Sequence, residues 1–337
     1  RGASGSGFGW SVAAAGDVDG DGYDDLLVGS EDNYADLYLG TSAGVSTSAA
    51  TTFSEGSAEF GTAVAAAGDV NLDGYDDVVI GGGDFALIGE VFVYLGSIAG
   101  VSGTAAITIT GESTGGFGDA VSTAGDVNGD GNVDLVVGAL CVTGCTGGGI
   151  AGRAYLYEGS ASGPSTTVGT YLNSNYDGGL GRSIAFAGDV DADGFDDVVG
   201  GAPNYNAGTG AAFVFAGSAL GPATTATTAL TGSAFGDAFG KSVAGAGDVN
   251  GDGFADVLVG ADGYSTYTGR AYVYHGSAAG LSSSASSTLT GSATYNYFGS
   301  SVAGVGDTNA DGYDDMVVGA YGYSSSRGRA ALHRGSA

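Results

Sequence analysis

An all-β fold is predicted: a β-propeller of six four-stranded antiparallel blades, with seven blades as the alternative. Three observations carry this expectation. A Phe-Gly pair, once Leu-Gly, opens each of six units at Phe8, Phe60, Phe117, Leu180, Phe239 and Phe298, at intervals of 52, 57, 63, 59 and 59 residues. Self-similarity at such a period marks a repeat architecture, and solenoid repeats are usually shorter. Every strand candidate is short, β-branched or aromatic, and bounded by Gly, Asp or Ser, and no segment keeps a helical apolar period, so helix content should be near nil. The third observation is a gradient of side-chain size within each unit, from small first strands to aromatic third strands, which suits blades that widen away from a central axis. The 337 residues are read as one domain.

Within a unit the elements follow in order. Behind each Phe-Gly pair runs a small-residue strand (SVAAAG, AVAAAG, AVSTAG, SIAFAG, SVAGAG, SVAGVG), in which only Ala, Ser, Gly and Val would fit beside the axis. An acidic loop leads to a second strand such as DDLLVG or DDVVIG, and a variable loop to a third such as VFVYLG or RAYVYHG, whose Tyr and Phe can fill the space between neighbouring blades. A G-S-x-x-G turn (Gly96–Gly100, Gly159–Gly163, Gly217–Gly221, Gly276–Gly280; G-T-S-A-G at Gly40–Gly44) precedes a Thr/Ser-rich fourth strand. The last unit stops inside that turn, at Ala337, which leaves 23 strands. With Arg1 in place of an initiator Met, the expectation is a piece of a longer chain, a three-stranded last blade being the alternative.

Between the first two strands of every unit lies D-x-[DN]-x-D-G-x-x-D. Oxygens at positions 1, 3, 5 and 9 and the carbonyl of position 7 can converge on a hard cation, and Gly at position 6 allows the tight turn. The six candidate sites are Asp17, Asp19, Asp21, Tyr23 and Asp25; Asp69, Asn71, Asp73, Tyr75 and Asp77; Asp126, Asn128, Asp130, Asn132 and Asp134; Asp189, Asp191, Asp193, Phe195 and Asp197; Asp248, Asn250, Asp252, Phe254 and Asp256; and Asp307, Asn309, Asp311, Tyr313 and Asp315. An all-oxygen set with three or four carboxylates suits Ca2+, about six ions in all. The loop is not an EF-hand, because position 12 is Val28, Ile80, Val137, Gly200, Val259 or Val318 where a bidentate Glu is needed. Asp-Gly turns without metal are the alternative. Six copies in register, each gathering charges that would otherwise repel, argue against them.

The charge balance agrees. Eight Lys and Arg face 37 Asp and Glu, for a net charge of −29, although only 13% of residues are charged and 43% are hydrophobic. Loop positions account for 24 of the 37 acids, counting Asp24, Asp76, Asp196 and Asp314 at position 8. So apolar a chain is not a disordered acidic tail. Eight cations cannot supply the basic stripe of a nucleic-acid binder, and no apolar run is long enough to span a membrane.

These motifs resemble the FG-GAP repeats of the integrin α-subunit propeller. The Phe-Gly pairs supply the first part of the signature, and Gly201-Ala202-Pro203 gives the second part literally, with VGS, IGG and VGA elsewhere. The resemblance covers essentially the whole chain. It implies extracellular or cell-surface recognition and adhesion, in a family that generally has seven repeats with calcium in only some. No inserted ligand-binding domain interrupts the repeats here, so no metal-dependent adhesion site on such an insert carries over.

If the acidic loops lie at one end of the blades, the second-to-third and fourth-to-first loops lie at the other. Those loops hold Tyr34, Phe85, Tyr176, Tyr205, Tyr264, Tyr267, Tyr295, Tyr297, Tyr321 and Tyr323 among Asn, Ser and Gly, a recognition composition. Packing of the loops themselves could use half of these rings. An extracellular protein is the expected partner and a glycan, bound lectin-fashion, the alternative. The unequal loops fit near-identical sugar pockets poorly. No nucleophile–His–acid set, His-rich metal site or phosphate loop stands apart from the scaffold, so catalysis is not expected. Cys141 and Cys145 read as a local disulfide. Arg153, Arg270 and Arg329 recur before third strands and are expected to pair with acidic loops, a ligand clamp being the alternative. His275 and His333 read as equivalent positions ending the third strands of units 5 and 6.

Overall fold

The computed structural model describes residues 7–57, 59–83, 86–143, 151–173 and 178–337. They form six antiparallel sheets, five of four strands and one of three, each with its strands in sequence order. Blade 1 is Phe8–Gly16, Asp25–Ser30, Tyr34–Tyr38 and Thr51–Phe53; blade 6 is Phe298–Gly306, Asp315–Ala320 and Arg329–His333. The described strands total 23, and the third strand of blade 6 is a sheet edge. Among the described residues, helix is confined to three four-residue turns, Tyr205–Gly208, Tyr264–Tyr267 and Tyr323–Ser326, whose middle residues are left-handed.

The Gly just before each acidic loop has a local reason. Gly16, Gly68, Gly125, Gly188, Gly247 and Gly306 all have φ between +67° and +77° and sit at a register shift between the first and second strands. A glycine bulge of this kind ends the pairing and turns the chain into the loop.

Blades pack face to face through aromatic and β-branched side chains. Leu27, Leu37 and Phe53 of blade 1 share one core with Phe60, Ile80, Phe92 and Tyr94 of blade 2, each such burial stabilising by about 1.5–3 kcal/mol. Glycines set the spacing. A Cβ on Gly29, Gly81, Gly138, Gly201 or Gly260 would stand 1.9–2.2 Å from the carbonyl oxygen of the Phe-Gly or Leu-Gly glycine in the next blade. Only glycine permits that approach, which explains both glycines of the repeat.

Five seams are built this way; the faces of blades 6 and 1 are not packed alike. Val12 is 59% exposed where its counterparts Val64 and Val243 are buried, and Leu332 is 52% exposed where Val273 is buried. Gly9 faces open space, and Gly319 meets only Ser301 of its own blade. Position 2 of the loop is a buried Val in blades 1 to 5 and an exposed Thr308 in blade 6.

Candidate metal centres and the opposite loop face

Each acidic loop curls around its own carboxylates. Asp17 accepts the N–H of Asp21 at Oδ1 (3.0 Å) and of Gly22 at Oδ2 (2.8 Å), and Asp69, Asp126, Asp189, Asp248 and Asp307 accept the same pair. Oδ1 of position 3 accepts the N–H of position 5 in loops 1 to 5. Carboxylate oxygens of Asp17, Asp19 and Asp21 lie within 4.8 Å of one another, as do those of Asp189, Asp191 and Asp197. Gly22 and its counterparts have φ near +90°; position 4 is left-handed too, including Leu72, Ala192 and Ala310.

Position 9 has a second role that the sequence reading missed. Asp77 is buried; its Oδ2 accepts the Val70 N–H (3.0 Å) and its Oδ1 the Gly96 N–H (2.7 Å). Asp25, Asp134, Asp197, Asp256 and Asp315 make the same two bonds, tying the loop's start to the turn after the third strand. A carboxylate has about four acceptor sites, so each can still face a cation. Burial first, then neighbouring loop aspartates, push Asp77 and Asp197 up to about 7 and Asp134 up to about 6, against the hydrogen bonds that lower them. Asp25 and Asp256 are raised as well, whereas the Thr308 hydroxyl holds Asp315 down.

The donor set fits a hard divalent cation. Every side-chain ligand candidate is oxygen, and in loop 6 the buried Oδ1 of Asn309, at ligand position 3, has no hydrogen-bond partner. An orphaned buried acceptor at a ligand position is what a cation would satisfy.

The loops are also linked in pairs. Asp76, at position 8 of blade 2, accepts the N–H of Asp17 in blade 1 (2.9 Å); Asp196 does so for Asp126 (2.8 Å) and Asp314 for Asp248 (2.9 Å). Val133 and Ala255 hold position 8 in blades 3 and 5. Charged links therefore alternate around the propeller.

At the opposite end the tyrosines divide. Tyr34 stacks on Phe8 (6.2 Å), Tyr205 meets Phe213 edge-on (6.1 Å), and Tyr264 and Tyr323 lie under Arg270 (3.7 Å) and Arg329 (5.4 Å). These four are half-buried. Tyr267, Tyr295, Tyr297 and Tyr321 instead form a ladder across blades 5 and 6: Tyr267 lies 6.0 Å from Tyr295 and 5.0 Å from Tyr297, and Tyr297 lies 4.5 Å from Tyr321. Tyr267, Tyr295 and Tyr321 are exposed, and Tyr267, Tyr295 and Tyr297 have φ of +58°, +59° and +55°. Bulky residues adopt such angles rarely, at a cost of about 1–3 kcal/mol. Phe85 and Tyr176 lie outside the described residues.

One feature of this face was not expected. Trp10, Thr62, Asp119 and Arg182, together with Glu31 and Glu59, line a cavity of about 390 Å3. The first four stand two places after the start of their Phe-Gly or Leu-Gly pairs, so their shared register is a signal the sequence did contain. The solitary Trp is 60% exposed there.

Two expectations need correction. Arg153, Arg270 and Arg329 lie over tyrosine rings, Arg153 5.0 Å from that of Tyr171 and Arg270 also bonded to Thr290 Oγ1 (3.0 Å), instead of pairing with acidic loops. Aromatic side chains one strand or turn away are nearer than any acidic loop, which lies at the far end of the blade. His275 and His333 are not equivalent either. Register aligns His333, opposite Met316, with Tyr274, opposite Val257, while His275 bonds the Asn250 side chain (2.9 Å). Cys141 is not a free thiol, and Cys145 lies outside the described residues.

Comparison with known proteins agrees with this geometry. An FG-GAP repeat model matches residues 180–215, 239–274 and 298–333, and an FG-GAP-like repeat model residues 17–80. Integrin alpha-7 of Homo sapiens is 35% identical over 152 residues, 41% of this chain and 12% of that protein. Integrin alpha pat-2 of Caenorhabditis briggsae is 30% identical over 217 residues, covering 57% and 17%. Integrin alpha-8 of Gallus gallus is 30% identical over 212 residues, covering 58% and 20%. The matches thus span a fifth or less of those relatives' lengths. Among solved structures, BBS1N in complex with ARL6DN, soaked with lead, superposes with a TM-score of 0.55 at 11% identity, over 96% of this chain and 81% of that one, a likeness of fold alone.

Proposed function

Since this chain is an FG-GAP-repeat β-propeller of the integrin α-like kind, we propose that it is a calcium-stabilised extracellular binding and adhesion module that recognises a protein partner through the loop face opposite the acidic loops. The observation that carries this reading is the division of labour between the two ends. One end repeats a single acidic-loop geometry in all six blades, and the other is irregular and displays aromatic rings on strained backbone. Calcium would supply positive charge to carboxylates that burial and repulsion otherwise force toward the protonated form. The acidic loops would thereby hold the blade ends rigid and present the far loops in fixed positions. A protein partner suits the tyrosine ladder better than a sugar, because stacked rings occupy one another's faces and offer edges and hydroxyls outward.

Two measurements test this. Filling a site to a hundredfold above its Kd adds about 2.7 kcal/mol, so the melting temperature should fall markedly in EDTA and return with calcium. An unchanged melt removes calcium from the reading. Tyr295→Ala and Tyr321→Ala should abolish capture of a cell-surface protein while leaving the calcium-loaded melt within a degree or two. Retained capture would place recognition elsewhere.

A further inference from the structure

Blade 6 departs from the others where its third strand meets blade 5. In blade 5, Tyr272 and Tyr274 close around Phe239, at 5.2 and 6.2 Å. Register puts Ala331 and His333 at those positions in blade 6, leaving the His333 ring edge-on to Phe298 at 6.1 Å. The missing bulk opens a cavity of about 110 Å3 on the same end of the molecule as the tyrosine ladder, room for on the order of three waters.

Its wall is unusual for so acidic a chain. The polar groups there are Arg329, His333, Thr290, Ser292, Asn296 and Tyr323, and no carboxylate lines it. The buried Nε2 of His333 has no hydrogen-bond partner. Asn296 Nδ2 donates to Ser292 Oγ (3.1 Å), which leaves the serine proton to donate onward. Arg329 spends the face of its guanidinium on the Tyr323 ring and keeps its N–H donors in the plane. A cation and several neutral donors lining one small space with no carboxylate among them suit an anion, and charge-assisted bonds from Arg are the strong kind.

We propose that this cavity binds a carboxylate, either a small free one or the end of an Asp or Glu side chain of the partner. A carboxylate would accept from His333 Nε2 and Arg329 together, satisfying the orphaned imidazole nitrogen. Burial, and then Arg329, hold the His333 imidazole below its ordinary range; a bound anion offsets both. The second source rests on this face being the recognition surface. Binding of a free carboxylate is scored with no partner in hand, so failure here and failure of the partner reading are separate results.

The chain has only two histidines, so the His333 Cε1–H resonance of the calcium-loaded full chain is a clean reporter, assigned with His275→Gln. At fixed pH and ionic strength, sodium acetate should move it saturably in the millimolar range, and the neutral isostere acetamide should not. N-acetylglutamate N-methylamide, whose only carboxylate is the side chain, distinguishes the sources: saturation by it as well assigns the site to a partner's side chain, and by acetate alone to a free ligand. Arg329→Gln should weaken acetate about tenfold, and Ala331→Tyr, which restores the bulk of blade 5, should abolish binding. No saturable shift in the wild type, or equal shifts with acetamide, overturns the proposal whether or not the variants fold.

Discussion

Single residues of the acidic loops couple folding to protons and, on the proposed reading, to cations. Asp77 and Asp197, raised to about 7, and Asp134, raised to about 6, each bind a proton more tightly folded than unfolded when no cation is present. With a folded pKa above the unfolded one, their contribution is fully present below about pH 4 and is lost as pH rises through 6 to 7. In EDTA, therefore, acidification from pH 7.5 to 5 should raise the melting temperature. On the proposed reading calcium would bind the ionised form and reverse the sign, so the same acidification in saturating calcium should lower it. Melts at the two pH values, with and without chelator, check both arms. Parallel shifts in the two conditions would mean that these carboxylates are not the calcium ligands.

Elements carry the next level, in the charged link between paired loops. Asp76→Ala removes the acceptor of the Asp17 N–H across the seam of blades 1 and 2 and should cost about 1.5–3 kcal/mol in calcium. Asp24 holds the same loop position in blade 1 but is exposed, so Asp24→Ala should stay within about 0.5 kcal/mol. Denaturant titration of the two variants separates a link from a mere charge effect. Strand order and the acidic loops are legible in the sequence because each recurs six times, and one copy corrects the reading of another. What depends on neighbouring blades is not. The charged position 8 reads as a ligand-loop acid until Asp76 is seen to reach Asp17. Left-handed Leu72, Ala192 and Ala310 carry no residue-type signal, and the single-residue offset of His333 from His275 needs a register that only pairing supplies. At the opposite loop face the sequence points to tyrosines by composition, but which of them pack and which form a ladder is decided by the length and turn of each loop.

At the scale of the whole molecule the six blades make five tight seams, and the glycine at the centre of the second strand reports on each. Gly81 has an ordinary backbone conformation, yet its Cβ would lie 2.1 Å from the Gly118 carbonyl oxygen in blade 3. Gly81→Ala must force two blades apart, and overpacking of this kind costs about 1–3 kcal/mol, occasionally more. Gly319 has the same place in blade 6 and also an ordinary conformation, but the nearest atom to its Cβ is the Ser301 hydroxyl, the free end of a side chain that can rotate away. Gly319→Ala should therefore cost well under half as much as Gly81→Ala in equilibrium unfolding. The comparison reads the state of the remaining seam in solution. If blade 1 closed directly on blade 6 with the geometry of the other five seams, the Gly9 carbonyl would stand where that of Gly118 stands for Gly81, and the two substitutions would be equally destabilising. Exposed Val12 and Leu332 predict the inequality, because apolar side chains in a sealed seam would be buried like Val64 and Val273.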